Sequence, residues 1–304
     1  MKIRLLSYLL IFVAIAMISC GKQRTVAIDI PYDGDKIVLN SIMTNDSIVY
    51  AHITKSASAK ASIDSLTELS GCTVDLYENN QLKETLAETL INGRRYYVSK
   101  SKTLSNRSYT LKASGGKLQG VEGTDQIPAK PGFSPLEFWK ISNPPDSLKP
   151  YRMTIKIKDP AGEKNYYRLK IYSASYNTGT KRYTINKNSE ISFSLDNFID
   201  EKGVFGVVSD NLSRTGFFTD DTFNGQEITL NLSLRTASGE RLYVAPELMA
   251  LSKQAYLYFD SKKKQENNKD NPFSEAVIVY NNISGGYGIV GGMADSITVI
   301  KRLN

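Results

Sequence analysis

The sequence predicts a mainly β protein. An N-terminal immunoglobulin- or transthyretin-like β-sandwich is followed by a second β-sandwich or open barrel carrying one helix. Three observations predict this. Apolar and polar residues alternate with period two over most of the chain. Clusters of Asn, Asp, Gly and Pro punctuate the alternating runs at short intervals. One stretch alone repeats its apolar residues at helical spacing.

The chain opens MKIRLLSYLLIFVAIAMISC. Lys2 and Arg4 precede an uncharged, mostly apolar run from Leu5 to Met17, shorter than the roughly 20 residues a membrane-spanning helix needs. Ser19 then precedes Cys20. The arrangement resembles a lipobox, although Met17 stands where Leu is more usual. It implies a diacylglyceryl group on the Cys20 thiol and removal of residues 1–19 as a signal peptide. An ordinary secretory signal with a cysteine nearby is the alternative. Residues 20–35 then read as a lipidated tether.

Residues 36–127 carry the first sandwich. KIVLNSIM (36–43) and SIVYAHITK (47–55) flank the turn Thr44-Asn45-Asp46. CTVDLY and its turn Asn79-Asn80 follow, then RYYVS (95–99) and SYTLKA (108–113), which Gly115-Gly116 terminates. The Pro- and Gly-bearing stretch from Ile127 to Pro135 marks a boundary, and residues 133–304 form the second domain. In YRMTIKIK, Tyr151, Met153, Ile155 and Ile157 share one face and the polar residues the other, as a half-buried strand requires. Tyr167, Leu169 and Ile171 repeat the pattern, as do Ile228, Leu230, Leu232 and Leu234. A last strand is expected at 296–302, with Ile297 and Val299 inward. The helix is expected at about 246–263. Leu248, Leu251, Ala255, Tyr258 and Phe259 recur at its spacing, Pro246 suits its first turn, and Lys262, Lys263 and Lys264 lie at its solvated end.

Composition narrows the chemistry. There are two cysteines, so a lipidated Cys20 leaves only Cys72 and no internal disulfide; Cys72 reads as a buried, inert thiol. The single histidine, His52, reads as an ordinary strand residue. A histidine-rich metal site is excluded, and a Ser-His-Asp device would have to use His52. The net charge of +7 includes Lys2 and Arg4 of the signal. Outside the cytoplasm it points to anionic glycans or a solvated surface rather than nucleic acid. No catalytic residue, metal or cofactor is expected. Asp220 and Asp221, with Asp210, lack calcium-loop spacing and read as surface turn residues. Trp139 is expected in the core between the domains. The Asp-Ser-aliphatic triplets at Ser47, Ser65, Ser147 and Ser296 resemble O-glycosylation acceptors, with turn chemistry as the plain alternative.

Four stretches carry a family resemblance: KDPAGEKNYYRLKIY (158–172), FFTDDTFNGQEITLNLSL (217–234), LMALSKQAYLYFDS (248–261) and NPFSEAVIVYNNISGGYGIVGG (271–292). In this order they resemble the domain of unknown function 4249 family, lipoproteins of the Bacteroidota. The resemblance covers the mature chain and implies no catalytic residue. It implies residence in the cell envelope and, by association, an accessory role beside a TonB-dependent outer-membrane transporter. The glycines of the last motif read as turn and close-approach positions. The functional alternative makes Gly285, Gly286, Tyr287 and Gly288 a ligand-contacting loop. GGYGIVGG lacks the Gly-Lys-Ser/Thr ending of a phosphate loop.

The expectation is a non-enzymatic outer-membrane lipoprotein that binds a glycan or peptide ligand and assists a TonB-dependent transporter. An envelope structural or adhesion protein, or a hydrolase with an unrecognised carboxylate site, are the alternatives. Gly21-Lys22-Gln23-Arg24 lacks the acidic residues that often follow the cysteine of surface-exported lipoproteins, so surface and periplasmic orientations both stay open.

Overall fold

The computed structural model describes residues 32, 34–58, 67–144, 147–197, 213–235, 242–268, 275 and 277–303. The strands of the first half are β1 (Ile37–Thr44), β2 (Ile48–Lys55), β3 (Thr73–Glu78), β4 (Gln81–Thr85), β5 (Ala87–Ile91), β6 (Arg94–Lys102), β7 (Arg107–Ser114) and β8 (Val121–Ile127). The second half supplies β9 (Gly132–Lys140), β10 (Tyr151–Lys158), β11 (Tyr166–Asn177), β12 (Arg182–Glu190), β13 (Phe193–Asn197), β14 (Thr215–Thr219), β15 (Glu227–Leu234) and β16 (Tyr243–Leu251). Helix α1 (Lys253–Asn268), β17 (Tyr287–Ile297) and β18 (Ile300–Lys301) complete it. The protein is mainly β, with several sheets, and among the described residues none closes into a barrel.

A ten-stranded sheet follows the path β12-β11-β16-β17-β1-β2-β6-β5, with β14 added against β11 and β18 against β16. Two four-stranded sheets, β13-β15-β10-β9 and β4-β3-β7-β8, accompany it. Register fixes which side chains share a face, because paired residues point the same way and neighbours alternate. Tyr167 pairs with Ala250 and Leu169 with Leu248; Ala250 pairs in turn with Ala294. These residues, with Val290, therefore lie on one side of the large sheet. On that side one core gathers Ile155, Leu169, Leu232, Leu248 and Ala250. A second gathers Leu39, Ile53, Tyr97, Leu111, Val290 and Ala294. Both small sheets thus pack on the same face. The helix lies on the opposite face, where Ala255 clusters with Met249 and Leu251, bordered by Phe217, Phe259 and Met293.

The strand that joins the two halves is β17. It runs parallel to β1, from Val38↔Tyr287 to Thr44↔Met293, and antiparallel to β16. Its glycines permit this fit. Gly288 holds φ +121 with the Leu39 carbonyl where a Cβ would stand, and a Cβ on Gly292 would strike the Gln126 carbonyl.

Four expectations need correction. The helix begins at Lys253, and residues 246–251 belong to β16, where Pro246 pairs with Ile171. VAPELMAL is buried throughout because one side meets the core and the other lies toward the helix, so its alternation is invisible in the sequence. Lys262, Lys263 and Lys264 consequently sit inside the helix rather than at its end, and Lys264 pairs with Asp260 at 2.7 Å. The strand expected at 296–302 is instead the end of β17 and the two-residue β18. Ile297 is only half-buried, because it pairs with Glu247 on the helix side. Trp139 is half-buried and points away from the core, which Phe138 enters opposite Met153. Among the described residues, no helix is long and apolar enough to cross a membrane.

Candidate ligand-binding face

The face of the large sheet opposite the two cores carries the polar and aromatic half of each alternating strand. At the β5 end, Val49, Ala51 and Ile53 point into the core, so Tyr50 and His52 point outward. Tyr97 likewise points inward and Tyr96 outward, and the pairing Ala51↔Tyr97 brings the outward residues together. Tyr50 and Tyr96 meet edge to face at 6.4 Å, and His52 lies 5.3 Å from Tyr96. His52 Nε2 is 3.1 Å from Glu68 Oε1, and the Arg95 backbone N–H donates to Glu68 Oε2 at 2.9 Å. These two contacts hold the Glu68 carboxyl below the usual range. Tyr50, Ile91, Asn92, Arg94 and Tyr96 line an open cleft of about 530 Å³ beside this group.

At the β12 end, a buried carboxylate anchors a second group. Glu247 is 1% exposed and both its oxygens are satisfied. Tyr172 Oη donates to one at 2.9 Å and Lys187 Nζ to the other at 2.7 Å. Burial, and then the Glu247 charge, push the Tyr172 hydroxyl above its ordinary pKa. Lys170 pairs with Glu190 alongside, at 2.5 Å. Arg168 lies toward the helix, its guanidinium 5.0 Å from the Phe259 ring and its Nε 3.0 Å from Met249 Sδ. Next along this face come Tyr176, Tyr183 and Tyr243, their ring centroids 4.9, 5.5 and 6.1 Å apart.

Two buried polar groups serve the fold. Asp125 accepts from the Ser252 hydroxyl and from Gly292 N–H at 2.7 Å. The same Ser252 oxygen accepts from Ala255 N–H at 3.0 Å and so caps α1. Burial lifts Asp125 to about 6. Asp220, expected at the surface, is 1% exposed. It accepts from Asn224 Nδ2 at 3.1 Å, while buried Asp159 accepts from Tyr167 Oη and from Gly225 N–H at 2.8 Å. Asn165, its amide turned to donate, reaches Pro160 O, Glu163 O and Asp220. Asp220 folds inward because these donors lock the two turns together. Asp221 stays exposed and pairs with Lys164 at 2.6 Å. Among the described residues, no group of three His, Cys, Asp or Glu side chains is placed to hold a metal ion.

The remaining sequence candidates are dispersed. Gly285, at φ +79, borders a polar cleft of about 460 Å³ with Lys112, Gln119, Glu122 and Ser284. Gly286 abuts the Ile37 carbonyl, and Tyr287 and Gly288 already belong to β17. Only Gly285 of the four therefore lines that cleft. Cys72 is half-buried against the core that holds Leu39 and Tyr97. Ser47 is half-buried, Ser147 is exposed, and Ser296 donates to Pro131 O at 3.0 Å. Cys20, Ser65 and Asp210 lie outside the described residues. Sequence reasoning missed the Tyr50–Tyr96 cleft, the Glu247 anchor and the tyrosine triad. Alternation showed which way each strand's residues point; the register that brings strands distant in sequence together was not readable.

This β-sandwich-like architecture accompanies a family match. The chain matches the family described as Domain of unknown function (DUF4249) over residues 23–297 and belongs to it. No curated protein matches the sequence. Among solved structures, one similar chain comes from "Complete structure of manganese lipoxygenase of Gaeumannomyces graminis and partial structure of zonadhesin of Komagataella pastoris". It shares 10% identity over 71% of this chain and 88% of its own, with a TM-score of 0.17, a likeness that carries no argument.

Proposed function

We propose that this chain is a non-enzymatic, lipid-anchored protein of the outer membrane that captures a ligand as an accessory to a TonB-dependent transporter. The observation that carries the reading is the cleft of Tyr50, Asn92, Arg94 and Tyr96 on the outward face of a sheet whose other face is packed. Rigid strands present two rings and a guanidinium to solvent, the mixture of apolar surface and few oriented polar groups that small-ligand sites use. The signal-like N-terminus ending at Cys20 supports the lipid anchor. The family resemblance supports the transporter by association. One observation favours adhesion as a second reading. Leu90, at 65% exposure, lies on β5 at the edge of the large sheet, and Leu82, at 59%, on β4 at the edge of the small sheet β4-β3-β7-β8, edges at which another protein can pair.

The test is a mild-detergent pull-down from native outer membranes through a C-terminal tag, with mass spectrometry. A stoichiometric TonB-dependent transporter is the expected result. Recovery of the lipoprotein alone, under conditions that preserve other transporter complexes, overturns the stable-accessory reading. Cys20→Ser is expected to release the chain from the membrane fraction, and retention would contradict the anchor.

A further inference from the structure

We propose that Tyr176, Tyr183 and Tyr243 form a binding platform for an acidic saccharide, at the opposite end of the large sheet from the Tyr50–Tyr96 cleft. The inference deepens the capture reading by naming a ligand class and needs neither the lipid anchor nor a transporter.

The three rings come from separate strands and share a face by register. Tyr176 pairs directly with Tyr183 across β11 and β12, and Tyr243 pairs with Ala174 on the far side of β11. Tyr183 is 53% exposed and stands against two further rings, so the aromatic surface there is contiguous rather than a lone exposed side chain. The hydroxyls separate these rings from the buried tyrosines that serve the fold. Tyr97 donates to Leu69 O at 2.9 Å, Tyr172 to Glu247, and Tyr167 to Asp159. Among the described residues, none of the triad hydroxyls holds a hydrogen bond, so each has a donor and two lone pairs left for a ligand.

A pyranose ring has a C–H face and a rim of hydroxyls. A tyrosine cluster answers both, with electron-rich ring faces for the C–H bonds and phenol oxygens for the rim. The charge beside the rings selects the acidic kind. Lys187 is 59% exposed at the side chain, with its Nζ beside the Tyr172 ring, while its partner Glu247 is 1% exposed. Lys301 is exposed and pairs with Tyr243 in register. Glu190 is committed to Lys170. Lys187 offsets Glu247 and Lys170 offsets Glu190, so the surplus beside the rings is the positive charge of Lys301, which complements a uronate or sulfate group.

The test is affinity electrophoresis of the purified full chain in gels carrying polygalacturonate, alginate or heparin, with dextran as the neutral comparison. Retardation by at least one acidic polysaccharide and not by dextran is expected. Tyr183→Ala, or Tyr183→Leu should the first variant fold poorly, should weaken it about tenfold, the effect of losing one central aromatic contact. Leu136→Ala, an exposed residue of β9 in the separate sheet β13-β15-β10-β9, should bind as the parent does. No retardation by any acidic polysaccharide, equal retardation by dextran, or a Tyr183→Ala variant that binds undiminished overturns the proposal. Loss of binding in Tyr96→Ala instead would overturn the platform while leaving ligand capture in place.

Discussion

On the core side of the ten-stranded sheet, Tyr167, Leu169, Leu248 and Val290 are almost wholly removed from water, and the one hydroxyl among them is hydrogen-bonded. On the other side, Tyr50 and Tyr183 are about half exposed and the triad hydroxyls are unclaimed within the described residues. The same residue type thus does two jobs, decided by which way its strand turns it. Most of the packing lies on one side, and the proposed recognition chemistry on the other. Substitutions on the two sides should therefore fail in different ways.

The largest expected effect is on the core side. Leu232→Ala removes a side chain with no exposure in the core around Ile155 and Leu248 and should cost about 2–5 kcal/mol in urea unfolding. A cost of a few tenths would mean that this core tolerates cavities and that the contrast between faces is weaker than drawn. Gly288→Ala follows. Its φ of +121 and the Leu39 carbonyl leave no room for a Cβ, so a loss of roughly 2–4 kcal/mol is expected. A neutral result would show that the β1–β17 pairing can shift.

Asp125 sharpens the comparison through pH. Burial raises it from the ordinary 3.8 to about 6. A raised carboxyl favours the protonated fold. Its contribution is complete below the unfolded value and is lost as pH rises through about 6. Stability should therefore climb by on the order of 2–3 kcal/mol on going from pH 7 to pH 4 from this group alone. Asp125→Asn should remove that slope, read by thermal unfolding at each pH. An unchanged slope would place the titrating group elsewhere. Smallest of all, Tyr183→Ala should change stability by no more than about 0.5 kcal/mol, as an exposed side chain does. A larger loss would make the triad part of the fold.

The strands at 37–44, 48–55, 151–158 and 227–234 were legible because each has one wet face, which prints alternation into the sequence. The helix start was not. Residues 246–251 are enclosed on both sides, and an apolar run reads equally well as helix or strand. The actual signal was Ser252, whose oxygen accepts from Ala255 N–H at the helix start. The glycines of 285–292 were legible as close-approach positions, but not as members of a strand running parallel to β1. The site was the least legible part. The rings at 176, 183 and 243 meet through hairpin register and a β11–β16 pairing, which no local pattern encodes, and 18 tyrosines spread along the chain single out none.

Hydroxyl-radical footprinting of tyrosines, in the native envelope and in the purified chain, tests most directly the division of labour between the two faces. The account predicts that Tyr50, Tyr96, Tyr176 and Tyr183 are oxidised in the purified chain and protected in the envelope, while Tyr97, Tyr109 and Tyr167 resist oxidation in both. Equal oxidation of the outward tyrosines in the two settings would contradict it, because that face would then meet no ligand or partner where the protein works.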